Sequence, residues 1–217
     1  LPMERTAYTF TDVSSYFVNA ARRQFAGYPG VSCKTLDISS DPIAQGFESG
    51  AYDIVLAANV LHATPGLGCS LGHVHELLAP GGTLILLEGT TARRFLDMTF
   101  GLLEGWWAFR DEAVRPAYPL LKVEAWSRLL ERCGFAGMAA LPQAEPATEV
   151  SGLAGQRLMV SRKPCSASAR SDSARVQGLW LIRPDRGDWG RHLGERLTAR
   201  GARCVEFRNQ DELNTII

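Results

Sequence analysis

The sequence predicts an α/β fold in which a doubly wound, parallel or mostly parallel sheet has helices on both faces. Three observations support this fold class. Short β-rich or apolar runs alternate with amphipathic runs along most of the chain. The run Asp53–Leu61 is almost continuously apolar, as is typical of a strand buried on both faces of a parallel sheet. Polar residues follow several of the runs, at strand ends where such sheets bind ligands.

Local signals define the elements of the first 61 residues. A short β-rich run is followed by a helix that Ser14 or Ser15 caps and that Gly27 and Pro29 end. Asp41-Pro42 is typical of an N-cap and first helical position, and opens a short turn. The apolar face of the first helix is predicted to comprise Phe17, Ala20, Ala21 and Phe25. The strands predicted here are Ala7–Thr11, Val31–Ile38 and Asp53–Leu61.

The next hundred residues continue the alternation. Apolar residues at helical spacing predict a helix over Leu67–Leu78, which Pro80-Gly81-Gly82 ends. The pattern of Arg93–Arg110 is helical, and Lys122–Cys133 is an amphipathic helix that ends at Gly134. The strands predicted in this part are Thr83–Leu87, Ala136–Leu141 and Gln156–Ser161.

A polar run rich in serine and alanine, Pro164–Ser173, predicts a domain boundary. We expect a first domain at residues 1–163, a linker at 164–175 and the start of a second unit at 176–217. That unit is predicted to be a strand, a helix and a strand, which together are too small to bury their own sheet. The three elements are Gly178–Arg183, Trp189–Arg200 and Arg203–Phe207.

Composition excludes several function classes. The chain has 23 basic residues (lysine and arginine) and 23 acidic residues (aspartate and glutamate). It therefore lacks the net positive charge that is typical of nucleic-acid-binding proteins. The apolar runs are too short to span a bilayer, so no membrane association is predicted. The five cysteines are scattered without CxxC spacing, which predicts reduced thiols in a cytoplasmic protein and no metal site.

Five polar residues near the ends of predicted strands form the candidate site: Asp12, Asp37, Asn59, His62 and Glu88. We expect them to line one crevice, because the carboxyl ends of parallel strands meet at one edge of a sheet. One acid is suited to ribose hydroxyls and a second to a purine amine, which together indicate an adenosine-containing ligand. The alternative for each single aspartate is a helix N-cap.

His62 and Glu88 are predicted to form a catalytic pair. A histidine is the usual general base near neutral pH, and a carboxylate on its other ring nitrogen would orient it. The alternative is a histidine that backbone carbonyls satisfy. Trp106-Trp107 is consistent with either a pocket wall or core packing.

A nucleoside site on this fold normally needs a glycine-rich turn after the first strand, and no such run precedes Tyr8. The nearest candidate, Asp185–Gly194, carries Asp188-Trp189 between its first two glycines and is interpreted as structural. A nicotinamide oxidoreductase is therefore disfavoured, since it needs this fingerprint and leaves the His–Glu pair unexplained.

Five strings occur in this order: YTFTDVSSYF, LDISSDPIAQGF, YDIVLAANVLHAT, LLAPGGTLILLEGT and GLLEGWW. Over Tyr8–Lys163 the chain therefore resembles the C-methyltransferase domains of polyketide synthases. The resemblance implies a class I methyltransferase that uses S-adenosylmethionine (SAM) to methylate the α-carbon of a β-ketoacyl chain. That chain is carried as a thioester on the phosphopantetheine arm of an acyl carrier protein, among the other synthase domains.

The resemblance also implies a role for each candidate residue. Asp12 binds the ribose of SAM, Asp37 lies by the adenine, and Asn59 lies near the methionine end. His62 is the base and Glu88 is its partner.

The sequence departs from the family at its start. The family has a helical lid and an acidic, glycine-rich loop ahead of the YTFTD string, and neither is present. We therefore expect the C-terminal two-thirds of a methyltransferase without its central strand, inactive as an isolated fragment. The region after the linker resembles the start of a catalytically silent ketoreductase half. The alternative function is a pseudo-methyltransferase, retained as a structural domain.

Overall fold

The computed structural model describes residues 6–142, 155–165, 179–182, 189–199, 201–207 and 212. The chain divides into two compact units, residues 1–166 and 167–217. Most of the predicted linker and residues 185–188 of the glycine-containing run lie outside the described residues, so the domain assignment stays a prediction. No helix in the described part of the chain is long and apolar enough to cross a membrane.

A two-stranded parallel sheet begins the first unit. Strand β1 (Tyr8–Asp12) pairs with β2 (Val31–Thr35), and helix α1 (Ser15–Gln24) packs on both. The buried face of α1 carries Val18 and Ala21, which lie three residues apart on one side of the helix. The assignment of Phe17 to this face was wrong: Phe17 is 55% exposed, so it lies at the margin of the buried face and not within it.

The second sheet of this unit has four strands in the order β3-β4-β6-β5. Strands β3 and β4 are parallel, whereas β6 runs antiparallel to both β4 and β5. The α/β class is confirmed, but the sheet is mixed rather than mostly parallel. The strands are β3 (Tyr52–Ala58), β4 (Leu78–Gly89), β5 (Ala136–Leu141) and β6 (Gln156–Arg162).

Helices α2 (Leu67–Leu77) and α4 (Val123–Arg132) contribute to the hydrophobic core with this sheet. Trp126 of α4 is fully buried in that core. Helix α2 ends at Leu77 and β4 begins at Leu78, and the parallel pairing of β4 with β3 sets where its carboxyl end lies.

The helix predicted over residues 93–110 is broken. Helix α3 (Arg94–Thr99) is followed by 3₁₀ turns at Phe100–Leu102 and Glu104–Trp107. The Phe100 ring stacks on that of Trp106 with centroids 5.7 Å apart, an arrangement that needs the chain to turn back on itself.

In the second unit, the parallel strands β7 (Leu179–Ile182) and β8 (Arg203–Glu206) flank helix α5 (Trp189–Thr198) in the chain. This is the predicted strand–helix–strand order.

Candidate active site

His62 and Glu88 lie at the carboxyl ends of the parallel strands β3 and β4. Asn59 follows β3 in a left-handed conformation with φ of 53°, which is uncommon for a residue other than glycine. The chain then forms a 3₁₀ turn, Leu61–Ala63, whose middle residue is His62. Glu88 is the penultimate residue of β4 and has no exposed surface. The strand ends therefore place these side chains together as predicted.

The Glu88 carboxylate is fully engaged by the turn that carries His62. Its Oε1 accepts hydrogen bonds from the backbone N–H groups of Val60 at 3.2 Å and Leu61 at 3.0 Å. Its Oε2 lies 2.7 Å from Nδ1 of His62. An ionised carboxylate can only accept, so with Glu88 ionised and the imidazole neutral, Nδ1 of His62 donates to Oε2 and Nε2 keeps its lone pair. The His62 side chain is 12% exposed and lines the cavity described next, where a bound molecule can meet it.

A cavity of about 530 Å³ lies beside His62. Its walls are mainly apolar, and its polar lining includes Asn59, His62, Arg93 and Gln156. Such a combination suits a ligand with an apolar chain and a few polar atoms. The apolar wall includes Phe95, Leu96, Phe100, Leu103, Trp106 and Leu120.

Trp106 and Trp107 have different surroundings. Trp106 is buried, lines the cavity and meets the His62 ring edge-on at 5.6 Å between centroids. Trp107 is 47% exposed and donates through Nε1 to the Gly101 carbonyl at 2.9 Å. Tyr118 packs against both indoles and donates to Asp97, and burial together with that bond raises the pKa of Tyr118 to about 12. Tyr118 therefore remains protonated at neutral pH.

Asp12 and Asp37 lie together at the end of the β1–β2 sheet. Asp12 Oδ1 accepts a hydrogen bond from the Ser14 N–H at 2.7 Å. Asp37 Oδ1 accepts from the N–H and hydroxyl of Ser39, and Oδ2 accepts from the Ser40 hydroxyl at 3.1 Å. The Ser39 hydroxyl bond holds the pKa of Asp37 below its usual value. Both aspartates thus hold local turns, and neither is the helix N-cap of the alternative interpretation, since the N-cap of α1 is Ser14 and residues 38–40 form a turn.

The expectation that the five candidate residues line one crevice is not met by the cavity beside His62. Asn59 and His62 line the cavity and Glu88 supports His62, whereas Asp12 and Asp37 are not part of the cavity lining. Strand β1 pairs with β2 and strand β3 with β4, and no strand pairing links these two sheets within the described residues.

Gln45 is a residue whose role the sequence analysis missed. Its side-chain amide accepts from the Asp37 N–H at 2.9 Å and donates to the Asp37 carbonyl at 2.9 Å. It also donates to the carbonyls of Ser40 and Asp41, so it holds the loop that presents Asp37. Gln45 is the first residue of QGF in the string LDISSDPIAQGF. Nothing in the sequence besides that string pointed to this residue.

Arg115 and Asp111 are two further residues near His62 that the sequence did not indicate. Arg115 has no exposed surface, and its Nε donates to Asp111 Oδ1 at 2.6 Å. Its Nη1 donates to the His62 carbonyl at 2.7 Å, and Nη2 donates to the Thr64 carbonyl at 2.8 Å. Neither residue follows a strand, so the signal that selected the other candidates does not apply to them.

Comparison with known proteins gives concordant matches. Residues 1–84 match a family model described as a methyltransferase domain. The chain is 46% identical over 136 residues to methyltransferase calH of Penicillium decumbens, which covers 63% of this chain and 37% of that protein. It is 48% identical over 132 residues to the lovastatin diketide synthase mokB of Monascus pilosus, covering 60% of this chain and 5% of the synthase.

Solved structures agree with these matches. The CurJ carbon methyltransferase superimposes with a TM-score of 0.71 at 46% identity, covering 76% of this chain and 43% of that one. The trans-methyltransferase CalH, solved as a complex with SAH, superimposes with a TM-score of 0.65 at 40% identity, covering 72% and 42%. The chain therefore spans less than half the length of each of these relatives.

Proposed function

We propose that this chain is part of a class I methyltransferase that methylates the α-carbon of a β-ketoacyl thioester. Its matches to a methyltransferase family model and to a carbon methyltransferase structure support this proposal. The methyl donor in this proposal is SAM, and the thioester is carried on the phosphopantetheine arm of an acyl carrier protein. The observation that carries the proposal is the His62–Glu88 pair beside an apolar cavity.

The pair has the chemistry that this reaction needs. A β-keto group makes the α-proton acidic, so Nε2 of His62 can remove it. The buried Glu88 carboxylate then stabilises the imidazolium through Nδ1 at 2.7 Å, without any rearrangement. When bound, SAM supplies the electrophilic methyl group that the resulting enolate carbon attacks.

The lining of the cavity is suited to an acyl substrate. Its apolar walls, Phe95, Leu96 and Leu103 among them, can pack against an alkyl chain. Its polar groups include the side chains of Arg93 and Gln156, which can donate hydrogen bonds to carbonyl oxygens. A β-ketoacyl thioester combines both features, an alkyl chain and two carbonyls.

The hydrogen bonding of Asp12 is compatible with SAM. One carboxylate oxygen of Asp12 accepts from the Ser14 N–H, and no bond within the described residues occupies the other. That oxygen can accept from ribose hydroxyls. Asp37 keeps acceptor capacity on Oδ2, where Ser40 is the single described donor, so it can also accept from an adenine amine.

The direct test of the function uses the full-length protein and SAM with a β-ketoacyl chain loaded on a carrier protein. We expect the acyl chain to gain the mass of one methylene, as measured by mass spectrometry of the carrier arm. The matched control is a saturated acyl chain of equal length, whose α-proton is not acidic and which should not react. No transfer to the β-ketoacyl chain, with SAM bound, would favour the structural-domain alternative.

Replacing Asp12 with alanine is expected to weaken SAM binding at least about tenfold, since a hydrogen bond to a charged group is worth about 1.5–3 kcal/mol. Isothermal titration calorimetry measures this change. Asp12→Asn is the matched variant, because an amide oxygen can still accept from the Ser14 N–H. It should keep the melting temperature while still weakening SAM. Unchanged affinity in both variants would leave Asp12 with only its turn hydrogen bond to the Ser14 N–H.

A further inference from the structure

The backbone of the 3₁₀ turn that carries His62 is held by the buried arginine described above. Arg115 donates to the carbonyls of His62, Thr64 and Pro65, the last at 3.2 Å. The final carbonyls of a short helix have no partner within the helix, so these oxygens need an external donor. Arg115 provides that donor from 53 residues further along the chain.

Asp111 holds Arg115 and the start of the next helix together. Its Oδ1 accepts from Arg115 Nε, and its Oδ2 accepts from the N–H of Leu67 at 2.9 Å. Leu67 is the first residue of α2, whose N-cap residue, Gly66, forms no side-chain cap. A carboxylate at this position satisfies an unpaired N–H and faces the positive end of the helix dipole.

The guanidinium makes four hydrogen bonds although it is buried, and each of its three nitrogens donates at least one. It faces one carboxylate and three carbonyls, and it lies over the Phe109 ring at 5.2 Å. A buried cation is costly unless it is paired and hydrogen-bonded, so this geometry is narrowly defined. Lysine cannot reproduce it, because a single ammonium group lacks the planar set of donors.

We propose that Arg115, oriented by Asp111, is a positioning residue for His62 in the proton abstraction. This inference rests on the proposed function. Glu88 fixes the His62 ring through Nδ1, and Arg115 fixes the backbone from which the ring projects. Together they define where Nε2 lies relative to the α-carbon. In the step so positioned, the α-C–H bond breaks, the proton passes to Nε2, and the electron pair moves into the enolate.

The test measures proton abstraction separately from methylation. In D₂O without SAM, the protein should exchange the α-protons of a β-ketoacyl pantetheine thioester, as followed by mass spectrometry. Arg115→Lys is expected to lower this catalysed exchange and the methylation kcat together, on the order of 10- to 100-fold. The dissociation constant for SAM should not change, because Arg115 contacts neither Asp12 nor Asp37 in the described hydrogen bonds.

A stability control separates positioning from folding. Leu130→Ala removes a buried side chain of α4, so it should lower the melting temperature while leaving both rates unchanged at a temperature where the protein is folded. If Arg115→Lys does not fold, Asp111→Asn replaces it and should lower both rates less strongly. Rates equal to those of the unmodified protein in the folded variant would overturn the inference and leave the proposed function intact. Failure of the unmodified protein to methylate would instead overturn the proposed function.

Discussion

Replacing His62 with alanine is expected to abolish methylation while SAM still binds. Among the described residues that line the cavity, His62 alone has a side chain that accepts a proton near neutral pH. The other polar side chains of the lining, Asn59, Thr91, Arg93 and Gln156, cannot act as bases there. Tyr118, which packs on Trp106 outside that lining, stays protonated because its pKa is about 12. Since general base catalysis contributes about 10²–10⁴-fold, the loss should be of at least that order.

The measurement is the rate of mass gain on the carrier-bound acyl chain, with SAM affinity determined in parallel. His75→Ala is the matched control, because it removes the same side chain from the far end of α2, where the ring packs edge-on against Phe135. We expect His75→Ala to retain its rate. Near-normal turnover by His62→Ala would falsify the assignment of the base.

The proximity of His62 and Glu88 could be predicted because each residue follows a recognisable apolar run. Asp53–Leu61 and Thr83–Leu87 are apolar runs, so the polar residues at their ends, His62 and Glu88, stand out in the sequence. Parallel pairing of β3 and β4 then brings the two ends together. Two things therefore suffice to bring these residues together: an apolar run before each of them, and the rule that parallel strands end at the same edge of a sheet.

The contacts of Asp111 and Arg115 could not be predicted in this way. Asp111 and Arg115 lie in a charged stretch, RDEAVR, that is typical of an exposed turn. Their burial depends on carbonyls near His62, about which the stretch itself carries no information. The direction of β6 and the exposure of Phe17 are similar cases, because both depend on which distant surfaces meet.

Replacing Glu88 with glutamine is expected to lower the methylation rate by about 10²–10⁴-fold with little effect on SAM affinity. Glutamine has nearly the same shape, and its oxygen can still accept from the N–H groups of Val60 and Leu61. Its amide nitrogen, however, would then face Nδ1 of His62 and donate to it. The imidazole would carry its hydrogen on Nε2, where the proposed mechanism needs a lone pair, and the imidazolium would lose its buried counter-charge.

Steady-state kinetics and calorimetry together distinguish this role from a ligand contact. A fall in kcat at unchanged SAM affinity supports an orienting carboxylate, whereas an equal loss in SAM affinity would make Glu88 a binding residue and contradict the pair. Glu131→Gln makes the same chemical change at an exposed position of α4 and should leave both quantities unaltered. Because Glu88 also holds the N–H groups of the 3₁₀ turn, the melting temperature must be compared as well. A glutamine that preserves those two bonds should keep the fold, so a lower rate at unchanged stability isolates the charge and the proton position as the cause.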